Sequence, residues 1–214
     1  MVITDFPPRV AIVANGATEN SEKILDRIHS YSFLVAVDGG CNACYTLKLS
    51  PQLIIGDMDS ISPEANAYYA DVPKLLFPSE KDETDLELAL NHLLANHVKE
   101  ITVFGGLGNR VDHTLGNIIL LSRFPGRVFL ESDAERLSVV NHTLEFSCSV
   151  GQTISLIPVN GPVSGIRTTG LKWPLNNGRL DKMFIGISNV ATQDRVKISV
   201  EQGDLLCVIN FNRP

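Results

Sequence analysis

Leu53-Ile54-Ile55-Gly56-Asp57-Met58-Asp59-Ser60 reads as a short buried strand that empties into two carboxylates one residue apart. If the backbone stays extended there, Asp57 and Asp59 point to the same side, because side chains alternate across a strand with period two. Two like charges held that close call for a cation between them. No Cys or His stands nearby to supply a softer ligand, so a hard, oxygen-seeking ion such as Mg2+ suits the pair better than zinc. Gly, Asp and Ser are also ordinary turn material, so the pair takes its meaning from the rest of the chain.

Outward from that segment the same arrangement repeats. Arg9-Val10-Ala11-Ile12-Val13-Ala14 is an apolar strand ending at Asn15-Gly16, after which Ser21 is expected to cap a helix with Ile24, Leu25 and Ile28 on its apolar face. Phe33 to Val37 is a second strand, running into Asp38-Gly39-Gly40 and a helix from about Asn42. Ser62-Pro63-Glu64 has the form of a helix start with proline at the first helical position, and Lys74 to Phe77 follows as a strand. Thr84 and Glu87 have capping-box spacing before a helical stripe of Leu86, Leu90, Leu93 and Leu94, which puts Asp85 in a first helical turn. Ile101 to Phe104 opens into Gly105-Gly106-Leu107-Gly108-Asn109-Arg110-Val111-Asp112-His113 and a helix around Ile118, Ile119 and Leu121.

Such alternation predicts an α/β unit, a mostly parallel sheet with helices on both faces, in which ligands collect beyond the carboxyl ends of the strands. After Arg127-Val128-Phe129-Leu130 helical periodicity disappears. Short β-rich runs follow at Leu137–Val140, Thr153–Ile157, Val163–Thr168, Phe184–Ile187, Val196–Val200 and Leu205–Phe211, spaced by Gly, Pro and Asn. The expected organisation is therefore an α/β domain over residues 1–137 and an all-β sandwich over residues 138–214.

Composition narrows the function. With 214 residues, 44% of them hydrophobic and 20% charged, the chain has enough apolar material for a sizeable core and is not of disordered type. No apolar run is long enough to cross a bilayer. A net charge of -6 disfavours nucleic acid as a partner, since such binding draws on clustered Lys and Arg. The first eight residues hold no basic residue, unlike a secretory signal, and a cytoplasmic location is expected. Cys41 and Cys44 form a C-x-x-C with no second pair to complete a zinc site and no flanking proline, so small residues at a packed helix start are favoured over redox or metal use.

Asp38, Asp57, Asp59, Asp85 and Asp112 come from separate strand ends that this fold gathers on one edge, where their charges would repel without a metal. The turn from Gly105 to Arg110 is not a dinucleotide fingerprint, because Val111 stands where the third glycine would be. It still offers backbone N–H groups and the Arg110 fork to a phosphate; a tight structural turn explains it equally well. Asp85 at a helix start, Asp112 as a helix cap and a lone His113 also have purely structural explanations. In the β half, Thr168-Thr169-Gly170-Leu171-Lys172-Trp173-Pro174-Leu175 holds the only tryptophan, for which a core position is the plainer reading, although an exposed one would suit an aromatic ligand. Gly186-Ile187-Ser188-Asn189 ends a strand with two small polar side chains.

Taken in order, Asp38-Gly39-Gly40 with Asn42, Gly56-Asp57-x-Asp59-Ser60, Lys81-Asp82-x-Thr84-Asp85, Gly105-Gly106-x-Gly108-x-Arg110-x-Asp112-His113, Thr168 to Trp173 and Ser188-Asn189 resemble thiamine pyrophosphokinase. The resemblance runs from Asn15-Gly16 to the last strand. Asn109 stands where that family usually has glycine, and Cys41 where it usually has alanine. The resemblance implies transfer of the diphosphoryl group of ATP to the hydroxyethyl oxygen of thiamine, giving thiamine diphosphate and AMP. It further implies that residues 1–137 are the catalytic, nucleotide-binding domain and residues 138–214 the thiamine-binding one, with Mg2+ on Asp57, Asp59 and Asp85, Asp38 and Asp112 nearby, and Asp59, Asp112 or a water as proton acceptor. Gly39, Asn42, Thr84, Gly106, Gly108, Arg110 and His113 would lie along the nucleotide. A homodimer is implied, with thiamine at the subunit interface, addressed by Ser188, Asn189 and Trp173. A D-x-D metal-dependent phosphatase, a sugar-nucleotide transferase and a non-catalytic nucleotide or thiamine sensor are the rival readings.

Overall fold

The computed structural model describes residues 5–16, 22–108 and 110–211, so Ser21 and Asn109 lie outside the described residues. The chain groups into two compact units, one ending at Leu115 and including Leu130–Asp133, the other made of Gly116–Phe129 and the chain from Ala134 onward.

In the first unit, strands β1 (Arg9–Val13), β2 (Leu34–Val37), β3 (Leu53–Gly56), β4 (Lys74–Leu76) and β5 (Glu100–Phe104) lie in the order β5-β1-β2-β3-β4, every pairing parallel. Near-continuous Val, Ile and Ala in β1, β2 and β3 reflect burial on both faces. On one face, α1 (Glu22–His29), α2 (Gly40–Thr46) and α3 (Pro63–Tyr68) share a core with Ala11, Val13, Ala36, Ile54 and Phe104. The helix α4 (Asp85–Ala95) packs on β2 and β3, burying Leu86, Ala89, Leu90 and Leu93. Two of the helix starts anticipated from the sequence are capped as expected, Ser62 Oγ accepting from Ala65 N above Pro63 and Thr84 Oγ1 accepting from Glu87 N, while α2 begins at Gly40 rather than Asn42.

One close approach sets the spacing of β1 and α2. A Cβ on Gly40 would stand 2.1 Å from the Val13 carbonyl oxygen, so glycine is needed at the start of α2. Cys41 and Cys44 are fully buried in the same helix, and burial pushes the Cys44 thiol up to about 12. Thiols this buried and hard to ionise are packing residues rather than a redox pair.

Helix α5 (Val111–Leu121) begins at Val111, so Asp112 falls inside its first turn rather than capping it. Only Leu121 of this helix is buried, whereas Val111, Leu115 and Ile119, four residues apart on one side, are exposed.

The second unit is antiparallel. After β6 (Val128–Glu131) come β7 (Glu135–Val140), β8 (Thr143–Ser147), β9 (Thr153–Pro158), β10 (Val163–Thr169), β11 (Gly178–Leu180), β12 (Gly186–Val190), β13 (Arg195–Ser199) and β14 (Leu205–Asn210). Their sheets run β12-β9-β14-β7 and β11-β10-β13-β8. Val140, Ile154, Leu156 and Leu205 of the first share a core with Val163, Ile166, Val196 and Ile198 of the second, the sandwich expected from the sequence. The strand expected at Phe184–Ile187 is displaced: β12 starts at Gly186, its pairing with β9 slips between Gly186 and Asn189, and Phe184, Ile185 and Ile187 stay exposed.

Candidate active site

The ends of β2 and β3 are neighbours in the sheet, with Val37 opposite Ile55, so the residues that leave them meet. Asp38, Asp57 and Asp59 each bring a carboxylate oxygen to within 4.8 Å of the other two. They do so by a turn, not by strand alternation: β3 ends at Gly56, and Met58 between the two aspartates has φ of 69°, where a side chain is strained. Asp38 is also left-handed, with φ of 45°. Three singled-out carboxylates therefore converge around two uncommon backbone conformations.

Short hydrogen bonds fix the turn. Asp59 N donates to Asp57 Oδ1 at 3.2 Å, and Ser60 Oγ donates to Asp59 Oδ1 at 2.8 Å. Asn42, on α2, clamps the far end: its Nδ2 donates to Ser60 O at 2.8 Å, and its Oδ1 accepts from Ser62 N at 2.8 Å. Asn42 thus holds the acidic turn in place through both ends of its amide.

Asp85, at the first position of α4, stands outside the group of three. Lys81 lies between, its Nζ 3.0 Å from Asp85 Oδ1 and 3.5 Å from Asp57 Oδ2, while donating to Pro78 O at 2.8 Å. The backbone N–H of Asp59, with Lys81 adding to it, holds the Asp57 carboxyl below its usual range. Burial pushes the Asp85 carboxyl up against the pull of Lys81. Burial works against the Lys81 ammonium as well, but Asp85 and Asp57 outweigh it and its net shift is upward. Sequence reasoning assigned Lys81 no role, although its spacing of four from Asp85 was visible.

The donor set fits a hard dication. It is all oxygen, and Asp38 Oδ1 is buried without a hydrogen-bond partner, a costly state for a carboxylate unless an ion completes it.

The glycine turn after β5 is arranged differently from the expectation. Gly108 N already donates to Thr114 Oγ1 at 3.1 Å, so that N–H is not open to a phosphate. Arg110 is forked onto Asp112, with Nε 3.1 Å from Oδ1, at an exposed position. That pairing brings the Asp112 carboxyl down to about 2, and Asp112 is not part of the group formed by Asp38, Asp57 and Asp59. His113 is exposed, and Gly106 packs so that an added Cβ would meet Leu130 at 2.9 Å. Gly39 is similarly tight, against the Asn15 side chain.

In the β unit, Trp173 is 56% exposed rather than in the core, with Lys172 Nζ 4.7 Å from its ring centroid. Asn189 fixes that segment: its Oδ1 accepts from Trp173 N at 3.1 Å and its Nδ2 donates to Trp173 O at 2.7 Å. Ser188 next to it is left-handed, with φ of 62°, in the slipped part of β12, and its N donates to Ser155 Oγ. The Asn189 amide is thus spent on holding the tryptophan segment in position.

Comparison with known proteins bears on both units. A family model described as thiamin pyrophosphokinase, catalytic domain, matches residues 25–129, and one described as thiamin pyrophosphokinase, vitamin B1 binding domain, matches residues 141–205. The chain belongs to the thiamin pyrophosphokinase family. It is 30% identical over 207 residues to thiamine pyrophosphokinase 1 of Oryza sativa subsp. japonica, covering 83% of this chain and 78% of the relative. With the thiamine pyrophosphokinase of Bacillus subtilis it shares 29% over 210 residues, 93% of this chain and 97% of that one. The crystal structure of thiamine pyrophosphokinase from Bacillus subtilis superposes with a TM-score of 0.82 at 25% identity, covering 95% of this chain and 99% of that chain. The yeast thiamin pyrophosphokinase structure, at 18% identity and a TM-score of 0.77 over 95% of this chain and 86% of that one, shares the fold.

Family membership leaves the D-x-D phosphatase and sensor readings without support. Within the thiamin pyrophosphokinase frame, all five aspartates lie in the stretch matched as catalytic, and Trp173, Ser188 and Asn189 lie in the stretch matched as vitamin B1 binding.

Proposed function

We propose that this protein transfers the diphosphoryl group of ATP to the hydroxyethyl oxygen of thiamine, releasing AMP. The observation that carries the reading is the convergence of Asp38, Asp57 and Asp59 in a chain whose two halves match the two domains of one kinase family. Asp57 and Asp59, with Asp38, would hold Mg2+, and Asp85 stands behind Lys81 as a further carboxylate for it. Bound there, the ion supplies charge neutralisation on the triphosphate.

The chain's own residues position and exchange protons. The thiamine hydroxyl oxygen forms a bond to the β-phosphorus, the bond from that phosphorus to the oxygen shared with the α-phosphorus breaks, and AMP leaves with that oxygen. The hydroxyl proton goes to water or to an oxygen of the exposed Asp59 that is not engaged with the ion; Asp112, whose carboxyl Arg110 holds down to about 2, is a poor base. Thr84, Arg110, His113 and the backbone at Gly39 and Gly106 line the nucleotide's path in this proposal, and Asn42 acts by bracing the acidic turn. Trp173 and Ser188 meet thiamine, the ring face suiting a cationic aromatic ligand.

The test is product analysis with ATP, Mg2+ and thiamine: AMP and thiamine diphosphate in equal amounts are expected, and thiamine added alone should quench the single tryptophan. ADP, free phosphate or no turnover rejects the assignment.

The same reading includes a homodimer, supported by the exposed apolar stripe Val111, Leu115 and Ile119 on α5. Light scattering should give a molar mass near twice the 23.4 kDa of the chain; a value near one chain removes the dimer and, with it, a thiamine site shared between subunits. A cytoplasmic location is part of the proposal and is supported by four free cysteines. No helix among the described residues is long and apolar enough to cross a membrane.

A further inference from the structure

Lys81 has a place in the acidic site that its own chemistry does not require. Its side chain is only 11% exposed, although an ammonium is ordinarily left in water, and its Nζ lies beside Pro78 O, Asp57 and Asp85. Asp85 Oδ1 is buried and makes no aligned hydrogen bond; what it has is the ion pair with Lys81 at 3.0 Å. Asp57 Oδ2 meets the same ammonium at 3.5 Å. One monovalent cation therefore already stands between one carboxylate of the group of three and the carboxylate left outside it.

We infer that Lys81 is a resident stand-in cation: it holds Asp57 and Asp85 together while no metal is bound, and releases them when a metal-bound triphosphate arrives, its ammonium moving onto a phosphate oxygen. This role rests on the proposed use of a divalent ion by the same aspartates. The physical reason is charge. A dication entering beside Asp57 meets a like charge a few ångströms away in a partly desolvated setting, where such repulsion is strong. Alone, the metal must displace the ammonium with nothing to receive it. Accompanied by triphosphate, it brings the anion that the ammonium can take in exchange. The exchange makes the metal and the nucleotide bind together better than either binds alone, a positive coupling through one side chain. Lys81 is a positioning residue in this scheme while it stands on the carboxylates.

Lys81→Met tests this through two binding measurements that need no turnover. Mn2+ binding without nucleotide, followed by the loss of the free-ion electron paramagnetic signal, should tighten by about tenfold, or about 1.4 kcal/mol, because the competing cation is gone. Binding of α,β-methylene-ATP with Mg2+ should weaken by about tenfold, because the phosphate contact is gone. Opposite signs in the two assays are the signature; a residue that merely supports the fold would weaken both. Lys81→Gln, which keeps a hydrogen-bond donor without the charge, should behave like Lys81→Met and covers the case in which that variant does not fold. Equal or weaker Mn2+ binding in both variants, or unchanged nucleotide binding, overturns the role. Absence of Mn2+ binding in the unmodified protein and in both variants alike removes the metal site itself. The crossed result without thiamine diphosphate formation keeps Lys81 and rejects the reaction instead.

Discussion

Asp57→Asn is expected to lower diphosphoryl transfer by about a thousandfold or more, the scale set by losing a metal's stabilisation of the transferring group. The substitution keeps the local structure, because an amide oxygen at Oδ1 still accepts the bond from Asp59 N. It removes one charge from a group of carboxylates within 4.8 Å of each other and one ion-pair partner from Lys81. The fold should survive, with a melting temperature within a few degrees of the unmodified protein, since the side chain sits at a sheet rim and not in the core. Asp112→Asn makes the contrast: its carboxylate is paired with Arg110 at the surface, and its loss should cost far less. Steady-state rates for AMP release, with circular dichroism as the control for folding, check both. Normal turnover in Asp57→Asn removes the metal assignment.

Gly40→Ala acts on the fold, with no polar group involved. The added methyl would stand 2.1 Å from the Val13 carbonyl oxygen, which belongs to a strand held on both sides by β2 and β5. The strand cannot withdraw without breaking its ladders, and α2 is held against the core by the buried Cys41 and Cys44, so the expected loss is about 3 kcal/mol or more, at the upper end for overpacking. Denaturant titration or recovery of the variant in the insoluble fraction reads this directly. A midpoint equal to that of the unmodified protein would show that β1 and α2 do not need their close approach. Because α2 carries Asn42, and Asn42 clamps Ser60 and Ser62, a displaced helix should also loosen the acidic turn.

Much of the fold was legible because its signals are local. The buried strands β1, β2, β3 and β5 are short apolar runs, and the starts of α3 and α4 carry Ser62 with Pro63 and Thr84 with Glu87. What was missed lacks such signals. Strand β8 alternates between exposed and half-buried positions, and β11 is a short segment, Gly178–Leu180; each is recognised only by its partner in the sheet. Phe184 to Ile187 reads as a β-rich run, yet Phe184, Ile185 and Ile187 are exposed and the strand itself begins later, at Gly186. Trp173 is a parallel case: hydrophobicity favours burial, but the Asn189 amide holds its backbone where the ring is exposed.

From order and residue type alone came the alternation of strand and helix, the change to an all-β second half, and the set of acidic residues at strand ends, since each depends on neighbours a few positions apart. Which of those carboxylates meet was decided in three dimensions. Strand order puts the ends of β2 and β3 side by side, so Asp38 joins Asp57 and Asp59, while Lys81 stands between them and Asp85, and Asp112 is paired with Arg110 outside the group. Charge interactions depend on distance through space and on what else competes for the same carboxylate, and neither is written in the spacing of residues along the chain.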